Sequence, residues 1–196
     1  MYPPPHKLSA GAAFVWIDLR LDTARTGPLY LAQDTVAKAV LASWEEGVRL
    51  HYFELGAWVI MPNHAHLLLL PNIEPSRLLK SLKGASARQA NRLLGRTGER
   101  FWQAESYDHW VRNDEEWRRI AGYIEANPVR AGLAARASDY RWSSAFFNRT
   151  NVDTNVDATS RMSVPTVESL RNEQGAWAGT NVDTNVDAAD MNVRAT

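Results

Sequence analysis

The 196-residue sequence has no cysteine, no net formal charge and no long apolar segment. Without cysteine, the chain cannot form a disulfide framework or a thiolate metal site. The apolar run at residues 67–70 is far too short to cross a bilayer, and residues 1–6 lack the basic and then apolar pattern of a signal peptide. We therefore expect a cytoplasmic protein without thiolate chemistry.

The zero net charge hides two regions of opposite sign. Residues 150–196 contain three basic and seven acidic side chains, which leaves residues 1–149 with an excess of four positive charges. The tail is also repetitive, because the Thr-Asn-Val-Asp units of residues 150–158 recur at 180–188. Such polar, low-complexity sequence buries too little apolar surface to offset chain entropy. We expect one folded domain over residues 1–149 and a disordered acidic tail over 150–196.

Hydrophobic periodicity divides the folded domain into alternating strands and helices. It predicts strands over residues 12–19, 50–61, 64–70 and 105–111, and helices over 34–47 and 75–95. A further helix begins after Asn113, which forms a capping-box pattern with Glu116, and is expected to end at residue 126, before Asn127-Pro128. Two consecutive strands joined by a short turn favour antiparallel pairing. The predicted fold is therefore an α+β ferredoxin-like sandwich with an added C-terminal helix.

Two histidines stand one residue apart at the start of a predicted apolar strand. Because strand side chains alternate, His64 and His66 leave the same face, while Ala65 points the other way. Two imidazoles at this spacing can bind one metal ion. Two polar rings on a buried strand are also unfavourable unless they have partners. The alternative is a pair of polar neighbours without a metal.

The helix that follows Asn113 carries a tyrosine and an amide on one flank. Its buried stripe is expected to be Trp117, Ile120, Ala121 and Ile124. Tyr123 and Asn127 are four residues apart and therefore neighbours on the helix surface. They can serve as a nucleophile and a metal ligand. They can equally be a rim tyrosine and an asparagine at the helix end.

The long helix at 75–95 has a leucine face, with Leu78, Leu82 and Leu93, and a basic face around Gly84. Its segment from 77 to 98 contains no acidic residue. This pattern favours phosphate binding, although a solvated charged face is the common alternative. The candidate DNA contacts are Arg77, Lys80, Lys83, Arg88, Arg92, Arg96 and Arg100, together with Arg119 on the later helix.

Four motifs occur in a fixed order along the chain. They are Met-Pro-Asn-His-Ala-His at 61–66, Tyr-Asp-His-Trp-Val-Arg at 107–112, Tyr-Ile-Glu-Ala-Asn-Pro-Val-Arg-Ala-Gly-Leu at 123–133 and Asp-Tyr-Arg-Trp-Ser-Ser at 139–144. In this order they resemble the REP-associated tyrosine transposases, relatives of the small single-tyrosine transposases of bacterial insertion sequences. The resemblance covers roughly residues 10–146 and leaves out the repetitive tail.

The resemblance implies the ferredoxin-like fold of the HUH endonucleases, with a catalytic domain over residues 1–149. It assigns the nucleophile to Tyr123 and the ligands of a divalent ion, Mg²⁺ or Mn²⁺, to His64, His66 and Asn127. Relatives often have glutamine at the third ligand position, and asparagine is one methylene shorter. The implied reaction cuts and rejoins single-stranded DNA beside a hairpin from a repetitive extragenic palindrome, through a 5′-phosphotyrosine. The implied assembly is a monomer or a homodimer.

Other interpretations stay open at this level. A non-catalytic protein that binds hairpin DNA would use the basic helix alone. A metal hydrolase with an activated water would cleave without a protein–DNA adduct. Tyr107 is a rival nucleophile, but it lies on a predicted strand without a ligand one helical turn away.

Overall fold

An antiparallel sheet of four strands organises the residues that the computed structural model describes, 13–21 and 29–153. The elements are β1 Val15–Arg20, α1 Asp34–Arg49, β2 Phe53–Ile60, β3 His64–Pro71, α2 Pro75–Leu93, β4 Tyr107–Trp110, α3 Asp114–Arg130 and α4 Ser144–Asp153. The sheet order is β2-β3-β1-β4 with every pairing antiparallel. This is the β-α-β-β-α-β arrangement of the ferredoxin-like sandwich, so the predicted fold class is confirmed.

The predicted acidic tail falls almost wholly outside the described residues. Its first four residues, 150–153, form the end of α4, past the expected boundary at 149. Residues 154–196 lie outside the description, so the tail stays a prediction. Over residues 13–21 and 29–153, no helix has both the length and the apolar character needed to span a membrane.

The two sides of the sheet are covered by different helices. Trp44 of α1 contacts Trp58 of β2, which is the cross-strand partner of Leu67, so α1 covers the side of the sheet that Leu67 faces. Helix α2 packs along α1 in the same layer. His66 faces the opposite side, where its ring contacts Tyr123 of α3. The alternation of β3 thus separates an apolar layer from the layer that holds the candidate site.

Helix α1 continues past Gly47, where the sequence pattern predicted its end. A Cβ atom at Gly47 would lie 2.5 Å from Cε1 of Phe53 on β2, so the missing side chain permits close packing of α1 on the sheet. This glycine serves packing rather than termination. The helix ends two residues later, at Arg49.

Helix α3 also runs beyond its predicted end at residue 126. Pro128 lies inside its last turn, where it removes only the single hydrogen bond that its missing N–H would have donated. The helix is terminated instead by Gly132, whose φ of 70° begins a Schellman motif. In this motif Leu133 N–H donates to Pro128 O at 2.8 Å and Gly132 N–H donates to Val129 O at 3.0 Å. Asn127 therefore has helical geometry, contrary to the expectation from the following proline.

The segment at 139–144 makes hydrogen bonds to the outer edge of β2, which no other strand pairs with in the described sheet. Ile60 N–H donates to Trp142 O at 2.8 Å, and the Tyr140 hydroxyl donates to Ile60 O at 2.9 Å. Ser144 Oγ accepts from Trp58 N–H at 3.1 Å. An unpaired strand edge can associate with other strands, and these bonds cover it. This motif is thus structural and lies away from the histidines.

Candidate metal and nucleophile site

Side chains from β1, β3 and β4 meet on the side of the sheet that α3 covers. They are Trp16, Asp18, Arg20, His64, His66, Tyr107 and His109. In the antiparallel register, Asp18 faces His66 and Arg20 faces His64. Tyr107 pairs with Asp18 from the other neighbouring strand. Strand pairing therefore gathers polar groups that are far apart in the sequence into one patch.

The two histidines lie beside each other with ring centroids 4.9 Å apart. Burial lowers the pKa of His64 to about 3, with the neighbouring His66 and Arg20 adding to the effect. Burial and Arg20 lower the pKa of His66 to about 3 in the same way. Both imidazoles are therefore neutral near pH 7, which is the form that binds a metal ion.

Helix α3 places the predicted nucleophile against this pair. The ring centroid of Tyr123 lies 5.8 Å from that of His66 and 6.0 Å from that of Trp16. The guanidinium carbon of Arg130 lies 5.2 Å from the Tyr123 ring centroid. Asn127 is on the same helix, one turn further, and is only 6% exposed. The structure thus brings Tyr123 to the histidines and buries Asn127 on the same helix.

The donor set suits a divalent ion that keeps some water ligands. No group of three or more His, Asp or Glu side chains within the described ranges is arranged to hold a metal. If the chain binds a metal here, the ligands that the family resemblance implies are the nitrogens of His64 and His66 and the amide oxygen of Asn127, with solvent completing the set. Two neutral imidazoles and an oxygen ligand fit Mn²⁺ well, and Mg²⁺ through its preference for oxygen.

Asp18 is a buried member of the patch that the sequence analysis missed. The carboxylate is only 2% exposed, and its Oδ1 lies 3.6 Å from Nδ1 of His66. The available signal was a charged residue inside the apolar strand Val-Trp-Ile-Asp-Leu-Arg, which is unfavourable without partners. Which residue faces Asp18 depended on the strand register.

Asn113 caps the start of α3 as predicted, but the second bond of a capping box is replaced, because Glu116 bonds to Arg112 N–H at the end of β4 and not to Asn113 N–H. Asn113 Oδ1 accepts from Glu116 N–H at 2.9 Å. The Glu116 carboxylate accepts from Arg112 N–H at 2.8 Å, and its Oε1 lies 3.0 Å from His109 Nε2. These contacts fix the first turn of α3 to the end of β4.

The predicted cationic residues fall into two groups. Those exposed on α2 are Arg77, Lys80, Arg88 and Arg92. Because α2 packs along α1, this basic stripe lies in the layer opposite His64 and His66. The leucine face is buried at Leu78 and Leu82, but Leu93 is 55% exposed because it lies at the helix end. The prediction that Leu93 belongs to the buried face is therefore wrong.

The remaining cationic residues are engaged with the protein itself. Lys83 Nζ donates to the carbonyls of Gln103 and Ala104, each at 2.9 Å, and so ties α2 to the loop before β4. Arg96 pairs with Glu99 at 2.6 Å. Further members of the predicted set are Arg119, 3.5 Å from Glu116, and the exposed Arg100. Lys83 and Arg96 thus have structural partners in the described fold.

Tyr107, the rival nucleophile, lies at the rim of the same patch. It is 44% exposed on β4, and its ring packs edge-on against Trp16 at a centroid distance of 5.1 Å. It has no place on a helix with a ligand one turn away. Its exposure fits it for contact with a bound molecule.

The sequence model described as "Transposase IS200 like" matches residues 30–127 of the chain. The chain belongs to this family. The match to the IS200-like transposases includes His64, His66, Tyr123 and Asn127, and it leaves Asp18 outside.

Two curated relatives of the chain are consistent with this family. The chain is similar to a REP-associated tyrosine transposase of Escherichia coli, with 30% identity over 95 residues that cover 47% of this chain and 54% of the relative. A Haemophilus influenzae relative of the same family name is 30% identical over 106 residues, covering 48% of this chain and 60% of the relative. The chain therefore spans little more than half the length of the curated relatives it matches.

A solved structure of a REP-associated tyrosine transposase bound to a REP hairpin has the same fold. Its TM-score is 0.57 at 21% identity, over 85% of this chain and 99% of that one. At this identity the likeness supports the fold. The family match confirms that the chain belongs to the IS200-like transposases, and the two relatives agree with it.

Proposed function

We propose that this IS200-like transposase is a metal-dependent endonuclease and strand transferase that acts on single-stranded DNA beside hairpin-forming repeats. The observation that supports this most directly is the convergence of Tyr123 on the histidine pair. Its ring lies 5.8 Å from His66, which in turn lies 4.9 Å from His64. Phosphodiester transfer by a tyrosine requires a phenol and groups that hold a metal ion. Here α3 supplies the phenol and a buried amide, and β3 supplies two neutral imidazoles.

Tyr123 is the proposed nucleophile. Its hydroxyl oxygen attacks the phosphorus of a phosphodiester, forming a bond to phosphorus as the bond to the 3′ oxygen of the preceding nucleotide breaks. The phenol loses its proton, and the departing 3′ oxygen gains one. The product is a 5′-phosphotyrosine and a free 3′-hydroxyl. Because the phosphoester bond is conserved, attack by a 3′-hydroxyl reverses the step without ATP.

His64, His66 and Asn127 are the proposed ligands of a divalent ion. Such an ion, when bound, polarises the phosphodiester and offsets the charge that develops in the transition state. Arg130 holds a guanidinium beside the Tyr123 ring. A fixed positive charge there can stabilise the phenolate and the phosphate oxygens.

The proposed substrate is a hairpin flanked by single-stranded DNA. The relative solved with a REP hairpin shares this fold. The exposed residues Arg77, Lys80, Arg88 and Arg92 can contact phosphates. Tyr107 can stack on an unpaired base at the rim of the site. Since the basic stripe and the site lie in different layers, the DNA would have to pass around an edge of the sheet to contact both.

The test is covalent capture of a hairpin-bearing oligonucleotide in the presence of Mn²⁺. Wild type should form a protein–DNA adduct that survives denaturing electrophoresis. The Tyr123→Phe variant should lose the adduct by at least about 1000-fold and keep its affinity for DNA, because only the attacking oxygen is removed. Chelation of the metal should also abolish the adduct.

Tyr107→Phe is the matched control, since it removes a phenol oxygen on the same side of the sheet and should leave capture intact. Equal capture by Tyr123→Phe would refute the tyrosine assignment. Cleavage without any adduct would favour a metal hydrolase. If the protein binds the hairpin tightly but forms neither cleavage product nor adduct with any divalent ion, it is a non-catalytic hairpin-binding protein.

A further inference from the structure

The buried carboxylate of Asp18 has no role in the chemistry described above. Its Oδ2 accepts a hydrogen bond from Arg20 Nε at 3.1 Å. Its other oxygen, Oδ1, has no hydrogen-bond partner among the residues that the structure describes. Buried polar atoms are rarely left unpaired in folded proteins. This oxygen is therefore a candidate for a functional contact.

The neighbouring atom that fits Oδ1 is Nδ1 of His66. Nδ1 is likewise buried and without a hydrogen-bond partner in the described part of the chain. The two atoms are 3.6 Å apart, on residues that face each other across the β1–β3 pair. A relative shift of about half an ångström would close this gap to an ordinary hydrogen bond. Contacts of this kind commonly tighten when a site is loaded.

In the neighbouring His64, the corresponding Nδ1 atom already makes a hydrogen bond to a side-chain oxygen. Nδ1 of His64 lies 2.7 Å from the side-chain oxygen of Asn63. An amide oxygen only accepts hydrogen bonds, so Nδ1 of His64 must carry the proton. The neutral ring has one N–H, which leaves Nε2 of His64 with a free lone pair.

We propose that Asp18 is a positioning residue for His66. Its Oδ1 accepts the Nδ1–H of the ring, fixes that tautomer and leaves Nε2 to bind a divalent ion. Asn63 does the same for His64, so both rings present Nε2 to one ion. A metal-binding histidine usually donates its second ring N–H to a carboxylate or carbonyl in this way. The role in metal binding rests on the proposed function, whereas the tautomer of His66 follows from the geometry of the β1–β3 pair.

The first measurement is the tautomer of each ring in the metal-free protein. Two-bond ¹⁵N–¹H correlation spectra of ¹⁵N-histidine-labelled wild type should show the proton on Nδ1 for both His64 and His66. In Asp18→Ala, His66 should shift toward the Nε2–H form, while His64 stays unchanged. Asp18→Asn retains an acceptor oxygen and should restore the Nδ1–H form. A wild-type His66 protonated at Nε2, or an unchanged tautomer in Asp18→Ala, would overturn the proposal.

The second measurement is Mn²⁺ affinity, determined by titration of the full chain without DNA. Asp18→Ala should bind Mn²⁺ about 10- to 100-fold more weakly than wild type. Asp18→Asn should recover most of the affinity. If Asp18→Asn keeps the tautomer but loses Mn²⁺ binding entirely, Asp18 is a direct ligand and the positioning role is wrong.

Asp108→Ala is the matched control, because Asp108 is an exposed carboxylate on β4 that pairs with Ile17 and faces the other side of the sheet. It should change neither tautomer nor affinity. The outcome also separates this inference from the proposed function. The predicted tautomers together with no Mn²⁺ binding by wild type would uphold the Asp18–His66 contact and refute the metal-dependent chemistry.

Discussion

The two sides of the sheet are built from the same strands but bury different chemistry. On the side covered by α1, Leu67 and Leu69 of β3 pack into an apolar layer and are fully buried. On the side covered by α3, His66, the residue before Leu67, is only 2% exposed and lies beside the buried Asp18. Apolar burial stabilises the fold, whereas burial of unpaired polar atoms opposes it.

Strand β3 has a different role on each side of the sheet. Side chains one residue apart on β3 serve stability on one side and the candidate chemistry on the other. A site that includes unpaired buried atoms such as His66 Nδ1 must be supported by packing elsewhere. The apolar layer between the sheet and α1 is the evident source of that support.

Substitution of adjacent residues on β3 should separate the two roles most strongly. Leu67→Ala should lower the free energy of unfolding by about 2–5 kcal/mol, because it creates a cavity in the apolar layer. His66→Ala should reduce adduct formation by at least about 100-fold, because it removes a proposed metal ligand. Denaturant unfolding and covalent capture at a temperature where both variants are folded provide the measurements.

The folded fraction of Leu67→Ala should retain wild-type capture, and His66→Ala should unfold close to the wild-type denaturant concentration. If His66→Ala loses as much stability as Leu67→Ala, the histidine is a structural core residue and the division between the two sides fails.

A second contrast concerns the half-buried acid on α1. Burial raises the pKa of Glu45 from 4.5 to about 7, and its Oε1 has no partner among the described residues. The folded state therefore holds this proton more tightly than the unfolded chain. The resulting stability is present below about pH 4.5 and is lost as the pH rises through about 7. Glu45→Gln should stabilise the protein by about 1–3 kcal/mol at pH 8 and change little at pH 4.

Thermal or denaturant unfolding of the variant at both pH values measures this effect. Glu46→Gln, at the exposed neighbouring position, is the matched control. An equal gain at pH 4 and pH 8 would show that the effect comes from something other than the ionised carboxylate.

The smallest expected effect concerns the basic stripe on α2. Arg88→Gln with Arg92→Gln should weaken hairpin binding a few-fold. The slope of log affinity against log salt should fall by about 0.7–0.9 for each phosphate that the protein no longer neutralises. The adduct-forming rate at saturating DNA should be unchanged, because the stripe lies in the layer away from Tyr123. Affinity measured over a series of KCl concentrations tests this.

Arg49→Gln removes an exposed α1 cation that pairs with Glu46 and should leave the slope unchanged. An unaltered slope in the double variant would exclude the stripe from DNA binding.

The sequence by itself determined the features that depend on local periodicity. Alternation along β3 placed His64 and His66 on one face, helical spacing placed Asn127 one turn after Tyr123, and Asn113 with Glu116 set the start of α3. The strand and helix order was sufficient for the ferredoxin-like fold. Each of these follows from interactions between residues a few positions apart, for which spacing predicts geometry.

Only the tertiary structure decided what depends on contacts between distant segments. The register of β1 against β3 put Asp18 opposite His66, and no local spacing contains that information. Packing of α1 against Phe53 is the reason that position 47 is a glycine inside the helix. The Lys83 ammonium group is bound by carbonyls of the loop before β4. Local propensity predicted the elements, but long-range pairing decided which polar groups share the candidate site.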